Sequence, residues 1–206
     1  KLTGSSLNSF EDTSGNATNS CTTDEQGKCT VSYRVPEISG TYKVLAFSES
    51  PRLLGSALFS VKVPYLTELI EGPDSEFVLI GEFGTPRCNG GIVDSAHNAN
   101  HFGDGNLKDY ILNIAKKFKQ RTGKKIRVND MSLEWGGLFD IHNDWKIPHK
   151  SHRLGLNVDI ALSGNVDNNI CVGLSQHENT DLLQIIKSVT GKTPLIEGDH
   201  FHINRY

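Results

Sequence analysis

Hydrophobic residues follow two different spacings along this chain. Up to about residue 65 they fall in short alternating runs: Thr30-Val31-Ser32-Tyr33-Arg34-Val35, Thr41-Tyr42-Lys43-Val44-Leu45-Ala46 and Ala57-Leu58-Phe59-Ser60-Val61-Lys62-Val63. The residues between them are rich in Ser, Thr, Gly and Asn. A period of two marks half-buried strands, and strands this short with turn signals between them predict a small β-sandwich. From Pro64-Tyr65 onward the pattern changes. Leu107, Tyr110, Ile111, Ile114, Ala115 and Phe118 recur at helical spacing, with Asp104 or Asn106 available as cap and Gly123 as stop. Asp181 to Val189 predicts a second, shorter helix closed by Gly191. Strand-like runs occupy Lys125 to Leu133, Leu156 to Leu162 and Thr193 to Ile203. Helices and strands mixed without regular βαβ alternation predict an α+β domain. Its central antiparallel sheet would have flanking helices on one face and a site on the other.

The polar positions of two of these runs carry the candidate chemistry. In EGDHFHINRY, His200, His202 and Asn204 share one face of an extended chain, while Phe201 and Ile203 share the other. In GLNVDIAL, Leu156, Val158, Ile160 and Leu162 point inward, leaving Asn157, Asp159 and Ala161 outward. A third histidine, His152, stands seven residues before Asp159. On one straight strand that pair would lie over ~20 Å apart, at ~3.3 Å per residue, and on opposite faces. On a helix it would sit roughly 10 Å apart. Neither closes on an ion with ~2 Å ligand bonds, so the segment must turn, and Gly155 is the place for the bend. His152, Asp159 and a C-terminal histidine would then supply two imidazoles and a carboxylate. That set leaves one position of a tetrahedral zinc open, as in catalytic sites.

Composition narrows the partners. The 206 residues carry a net charge of -3, with 22% charged and 36% hydrophobic residues, as in a soluble globular protein. That balance gives no reason to expect nucleic acid or an acidic membrane as partner, and no apolar run approaches the ~20 residues of a membrane span. The chain opens on KLTGSS without Met, as expected of a processed or trimmed chain, so the lack of a signal peptide there says little about compartment. Cys21 and Cys29 bracket the turn-like TTDEQGK, where a bridge is geometrically easy, and Cys88 with Cys171 would make a second pair. An even count without CxxC suits disulfides and an extracytoplasmic location, whether periplasmic, secreted or cell-surface, better than a thiolate metal site; the alternative is four unrelated buried thiols. His97, His101, His142, His149 and His177 read as ordinary surface or core histidines; the alternatives are a substrate or outer-layer contact for His149 and cleft lining for the stretch around His97 and His101. Trp135 with Gly136 and Gly137 reads as packing beside a turn, with a substrate groove as the alternative.

Two resemblances add to this. The QGKCTVSY, GTYKVLA and FSVKVP strands resemble bacterial Ig-like modules of secreted and surface proteins, here over residues 1–64 and truncated at the start. The pair SHRLGLNVD and DHFH resembles the signature of the lysostaphin, D-alanyl-D-alanine peptidase and hedgehog metallopeptidase superfamily. It is most similar to the penicillin-insensitive murein endopeptidase branch, with SHxxGxxVD and DHFH. A looser likeness runs through NDMSLEWGGLFD and PHKSHR, spanning roughly residues 95 to 206 within a domain of 65–206. The resemblance implies one Zn2+ per chain held by His152, Asp159 and His202, and an active site containing His200. It implies hydrolysis of peptidoglycan peptides, in a cross-link or stem peptide at a D-amino acid, by a zinc-activated water. His200 is the first choice for proton transfer or transition-state stabilisation. Asp199, three before His202, competes as general base, and Glu197 is a further candidate. The alternative is a zinc-containing binding or adhesion module without turnover, of the hedgehog type.

Overall fold

The structure is a computed structural model that describes residues 9–48, 54–80, 99–139, 151–162, 174–198 and 200–205. Two compact units divide the chain between Lys62 and Val63. In the first, β1 (Ser9–Glu11), β2 (Ala17–Thr18) and β3 (Ser32–Arg34) pair antiparallel in the order β2-β1-β3. The longer β4 (Gly40–Phe47) and β5 (Leu54–Val61) form a two-stranded antiparallel pair with Tyr42 opposite Phe59. Aromatic rings link the two sheets: Phe10 to Tyr33 at 4.9 Å, Tyr33 to Phe59 at 5.2 Å and Tyr42 to Phe59 at 5.8 Å between centroids. Cys21 and Cys29 are disulfide-bonded across a tight turn, in which Asp24 accepts hydrogen bonds from the backbones of Gln26, Gly27 and Lys28. Cys88 and Cys171 lie outside the described residues.

The second unit is mixed α+β. It contains β6 (Thr67–Glu68), β7 (Phe77–Leu79), β8 (Phe102–Gly103), α1 (Gly105–Thr122), β9 (Ile126–Val128), β10 (Asn157–Ala161), α2 (Gln176–Thr190), β11 (Leu195–Glu197) and β12 (His200–Asn204). Five strands make one sheet in the order β11-β12-β10-β9-β7. The antiparallel expectation needs correcting at one edge, where β7 runs parallel to β9. Helix α1 lies between them in sequence and supplies the long crossover that a parallel pair requires. The single run Thr193 to Ile203 is in fact an antiparallel pair, β11 and β12, turning at Gly198.

Alternation sets what the sheet buries. Val158, Ile160, Phe201 and Ile203 join Phe77, Ile126 and Val128 against the apolar stripes of both helices, including Ile111, Ile114 and Phe118 of α1 and Leu182 and Ile186 of α2. Helix α1 starts where Asp104 accepts from the Leu107 N–H at 2.8 Å and ends at Gly123. Helix α2 starts five residues earlier than its apolar pattern, because Ser175 and Glu178 form a reciprocal capping box. Glu178 also pairs with Lys124 at 2.7 Å, and the Lys124 hydrogen bond, with that from the Ser175 backbone, holds its carboxyl below the ordinary value. A lowered folded-state pKa means stability that is present above the ordinary carboxylate range and lost as the pH falls through the folded value. Glu178→Gln keeps a capping acceptor but removes the charge. We expect it to cost a few tenths of a kcal/mol at pH 7, a difference that disappears on acidification. Urea melts at pH 7 and pH 3 check this; a gap unchanged between them would refute it.

Candidate metal centre

The second face of the sheet carries Asn157, Asp159 and His202, and it is covered rather than open. Asp159 and His152 are fully buried, and Asn157 and His202 are each 5% exposed. Strand pairing brings the first two site residues together. Asp159 and His202 are register partners across β10 and β12, and His202 Nδ1 lies 2.7 Å from Asp159 Oδ1.

His152 arrives by the bend. Residues His152–Leu154 form one turn of 3-10 helix, and Gly155 follows at φ 65°, ψ 33°, in the left-handed region that suits glycine. The chain then enters β10, which places His152 Nε2 3.2 Å from Asp159 Oδ2. His152 Nδ1 is 2.7 Å from the Met131 carbonyl. A carbonyl only accepts, so Nδ1 carries the proton and Nε2 turns toward the carboxylate. This is the arrangement by which an outer partner fixes the tautomer of a ligating histidine. The Phe139 ring backs His152 at 5.1 Å, and the His202 ring meets it edge-on at 5.2 Å.

Residues 129–131, which include the Met131 carbonyl, are braced in turn. Met131 N–H donates to Asn100 O, Asp159 N–H to Asp130 O and Asn129 N–H to Asp159 O, all within 3.0 Å. Gly137 N–H donates to Arg153 O at 2.8 Å, so the Trp135-Gly136-Gly137 turn supports the 3-10 turn from outside.

His152, Asp159 and His202 present ligating atoms within 4.8 Å of one another. Two imidazoles and a carboxylate form a donor set that suits a divalent metal such as zinc. The local electrostatics ask for a cation too. A neutral His152 with its proton on Nδ1 would point a lone pair at Asp159 Oδ2, so either a proton or a metal must lie between them. Burial alone would raise the Asp159 carboxyl. Hydrogen bonds from His152 and His202, with the charges of His152 and His200, outweigh it and hold the carboxyl well below the ordinary range. The residues fit the ion.

His200 sits at the mouth of this cluster, its side chain 15% exposed. Its Nε2 lies 3.4 Å from Asp159 Oδ2 and 3.4 Å from Oε2 of Glu197, its cross-strand partner on β11. Asp199 lies outside the described residues, as do His97, His142 and His149. His101 is buried, with Nε2 3.2 Å from the Val128 carbonyl, and the exposed His177 lies 3.7 Å from Asp181. Two contributors to the centre were not among the site residues read from the sequence. One is the Met131 carbonyl. The other is Asn157, whose Nδ2 donates to Ser151 O at 2.9 Å and lies 3.5 Å from His202 Nε2. Asn157 shares a strand face with Asp159 two residues on, and that spacing was its legible clue.

The family model for penicillin-insensitive murein endopeptidases matches residues 95–202, which include every residue of the cluster. The chain belongs to this family. No curated protein and no solved structure matches. Family membership makes peptidase action on peptidoglycan the activity class, and the family is one of metallopeptidases. Among the described residues no helix is long and apolar enough to cross a membrane.

Proposed function

We propose that residues 65–206 form a zinc peptidase that hydrolyses cross-link or stem peptides of peptidoglycan at a D-amino-acid bond, working outside the cytoplasm. Residues 1–64 would be an Ig-like module that targets or spaces it. The observation that carries this reading is the convergence of His152, Asp159 and His202 in a buried cluster of a chain from a murein endopeptidase family.

In this reading His152, Asp159 and His202 hold one Zn2+. When bound, the ion supplies Lewis acidity to the scissile carbonyl and to water. The chain's own groups do the rest. Met131 O keeps the His152 proton on Nδ1 and so keeps Nε2 for ligation. His200 would hold a proton at Nε2 and pass it to a leaving amine, a role supported by its partial exposure and its position 3.4 Å from both Asp159 and Glu197. Asp199 is the competing general base. Nearness of His200 to the cluster favours turnover over the non-catalytic, hedgehog-type reading.

The test is metal analysis of the purified protein followed by incubation with cross-linked muropeptides, beside His202→Ala. We expect close to one zinc per chain and release of cleaved peptides, both lost in the variant and both lost on chelation. Absence of zinc would sink the site. Zinc without cleavage of any stem peptide or cross-link would favour the binding module.

A further inference from the structure

The family match begins at residue 95, yet a segment far upstream of it holds the turn that carries His152. Val63 N–H donates to Trp135 O at 2.8 Å. The Val63 side chain covers Gly136 so closely that a methyl group there would fall 2.8 Å from Val63 Cβ and 2.9 Å from Arg153 O. Leu66 packs on the other side of the same turn, occupying the space that a side chain at Gly155 would need. Gly103 closes that space from behind, its Cα 3.2 Å from the same point. Thr67 and Glu68 then pair with β8, Leu69 N–H donates to His101 O at 2.7 Å, and Lys108 Nζ donates to Thr67 Oγ1 and Glu68 O.

Between the two contacts lies Tyr65, at φ 65°, the only non-glycine with positive φ among the described residues. The residue is 87% exposed, so no side-chain packing accounts for the conformation. What accounts for it is the chain reversal that lets Val63 reach Gly136 while Leu66 reaches Gly155. Backbone cost of this kind persists where surrounding contacts over-determine it.

We propose that Val63–Leu69 is a strap that fixes the 3-10 turn, and that Val63 and Leu66 are positioning residues of the metal centre. Trp135-Gly136-Gly137 and Gly103 are the surfaces it presses against. The consequence for zinc rests on the metallopeptidase reading above; the geometry of His152 does not. The strap acts through the Arg153 and Gly155 backbone, on either side of Leu154, and so sets how His152 Nε2 meets Asp159. Outer-layer partners of metal ligands typically govern affinity by 10–100-fold.

The test uses the full chain with Leu66→Ala, Leu66→Met as the conservative variant, and Ile186→Ala as a cavity in the helix layer away from the centre. Zinc affinity is measured by chelator competition, and the hydrogen-bonded His152 Nδ1 proton is followed by NMR in the metal-free protein. We expect Leu66→Ala to weaken zinc binding about 10-fold or more and to lose the His152 proton signal. Leu66→Met should stay within about threefold of the parent, and Ile186→Ala should melt lower with affinity and signal kept. Equal loss in Ile186→Ala, or affinity and signal kept in Leu66→Ala, overturns the strap. If the parent takes up no zinc, the metallopeptidase reading falls, and the His152 signal alone decides the strap. Should Leu66→Ala fail to fold, Val63→Ala is read by the same two measurements.

Discussion

Replacing Asp159 by Asn is expected to lower zinc affinity by more than about 100-fold and to take peptidoglycan hydrolysis below detection. The substitution conserves shape but removes the carboxylate of the His152, Asp159 and His202 set. Asp159 is the point where three imidazoles converge: His202 at 2.7 Å, His152 at 3.2 Å and His200 at 3.4 Å. Outer partners of metal ligands cost 10–100-fold when lost, and a direct, charged donor should exceed that range. The fold should survive, because the backbone of Asp159 bonds to Asn129 and Asp130 whatever the side chain is. Chelator competition and muropeptide release, with circular dichroism as the fold control, measure all three quantities. Zinc binding within threefold of the parent would remove Asp159 from the donor set.

The second large effect is expected from Gly155→Ala, which should cost about 2–5 kcal/mol of stability and weaken zinc binding as well. A left-handed alanine costs roughly 1–2 kcal/mol in backbone energy alone. The added methyl would overlap Leu66 and lie 3.2 Å from Gly103 Cα, so side chain and backbone must both give way. Overpacking of this kind typically adds 1–3 kcal/mol. At roughly 3 °C per kcal/mol for a domain near this size, the melting temperature should drop by about 6–15 °C. The displaced turn carries His152, so metal affinity should fall with it. A melt within 2 °C of the parent would mean that the turn relaxes freely and that its geometry is not tightly held.

The sequence revealed some of this better than the rest, for physical reasons. Helix α1 was legible because five buried positions recur at helical spacing between a capping Asp104 and Gly123. The start of α2 was not. Residues 176–180 are polar and carry no periodicity, so only the Ser175/Glu178 capping pair marks it. The bend at Gly155 followed from the separation of His152 and Asp159, since no straight element lets both reach one ion. Alternation assigned Asp159 and His202 to the face away from the helices. Alternation fixes a side of the sheet, however, and not whether something covers it. The covering groups, Phe139 and the backbone of Met131, stand outside both motifs. The parts played by Val63 and Leu66 were equally hidden, because their contacts cross more than 70 residues of chain.

The pairing of Asp159 with His202 across β10 and β12 makes assembly of the centre inseparable from choosing the right strand alignment. Sliding one strand by a single residue would set Phe201 or Ile203 opposite Asp159, and would drive the histidines toward the helices and the core residues toward the site. Misalignment therefore forfeits the hydrophobic core as well as the ligands. The apolar residues that select the fold thus proofread the candidate metal centre, and Asp159 and His202 already face each other before any ion arrives.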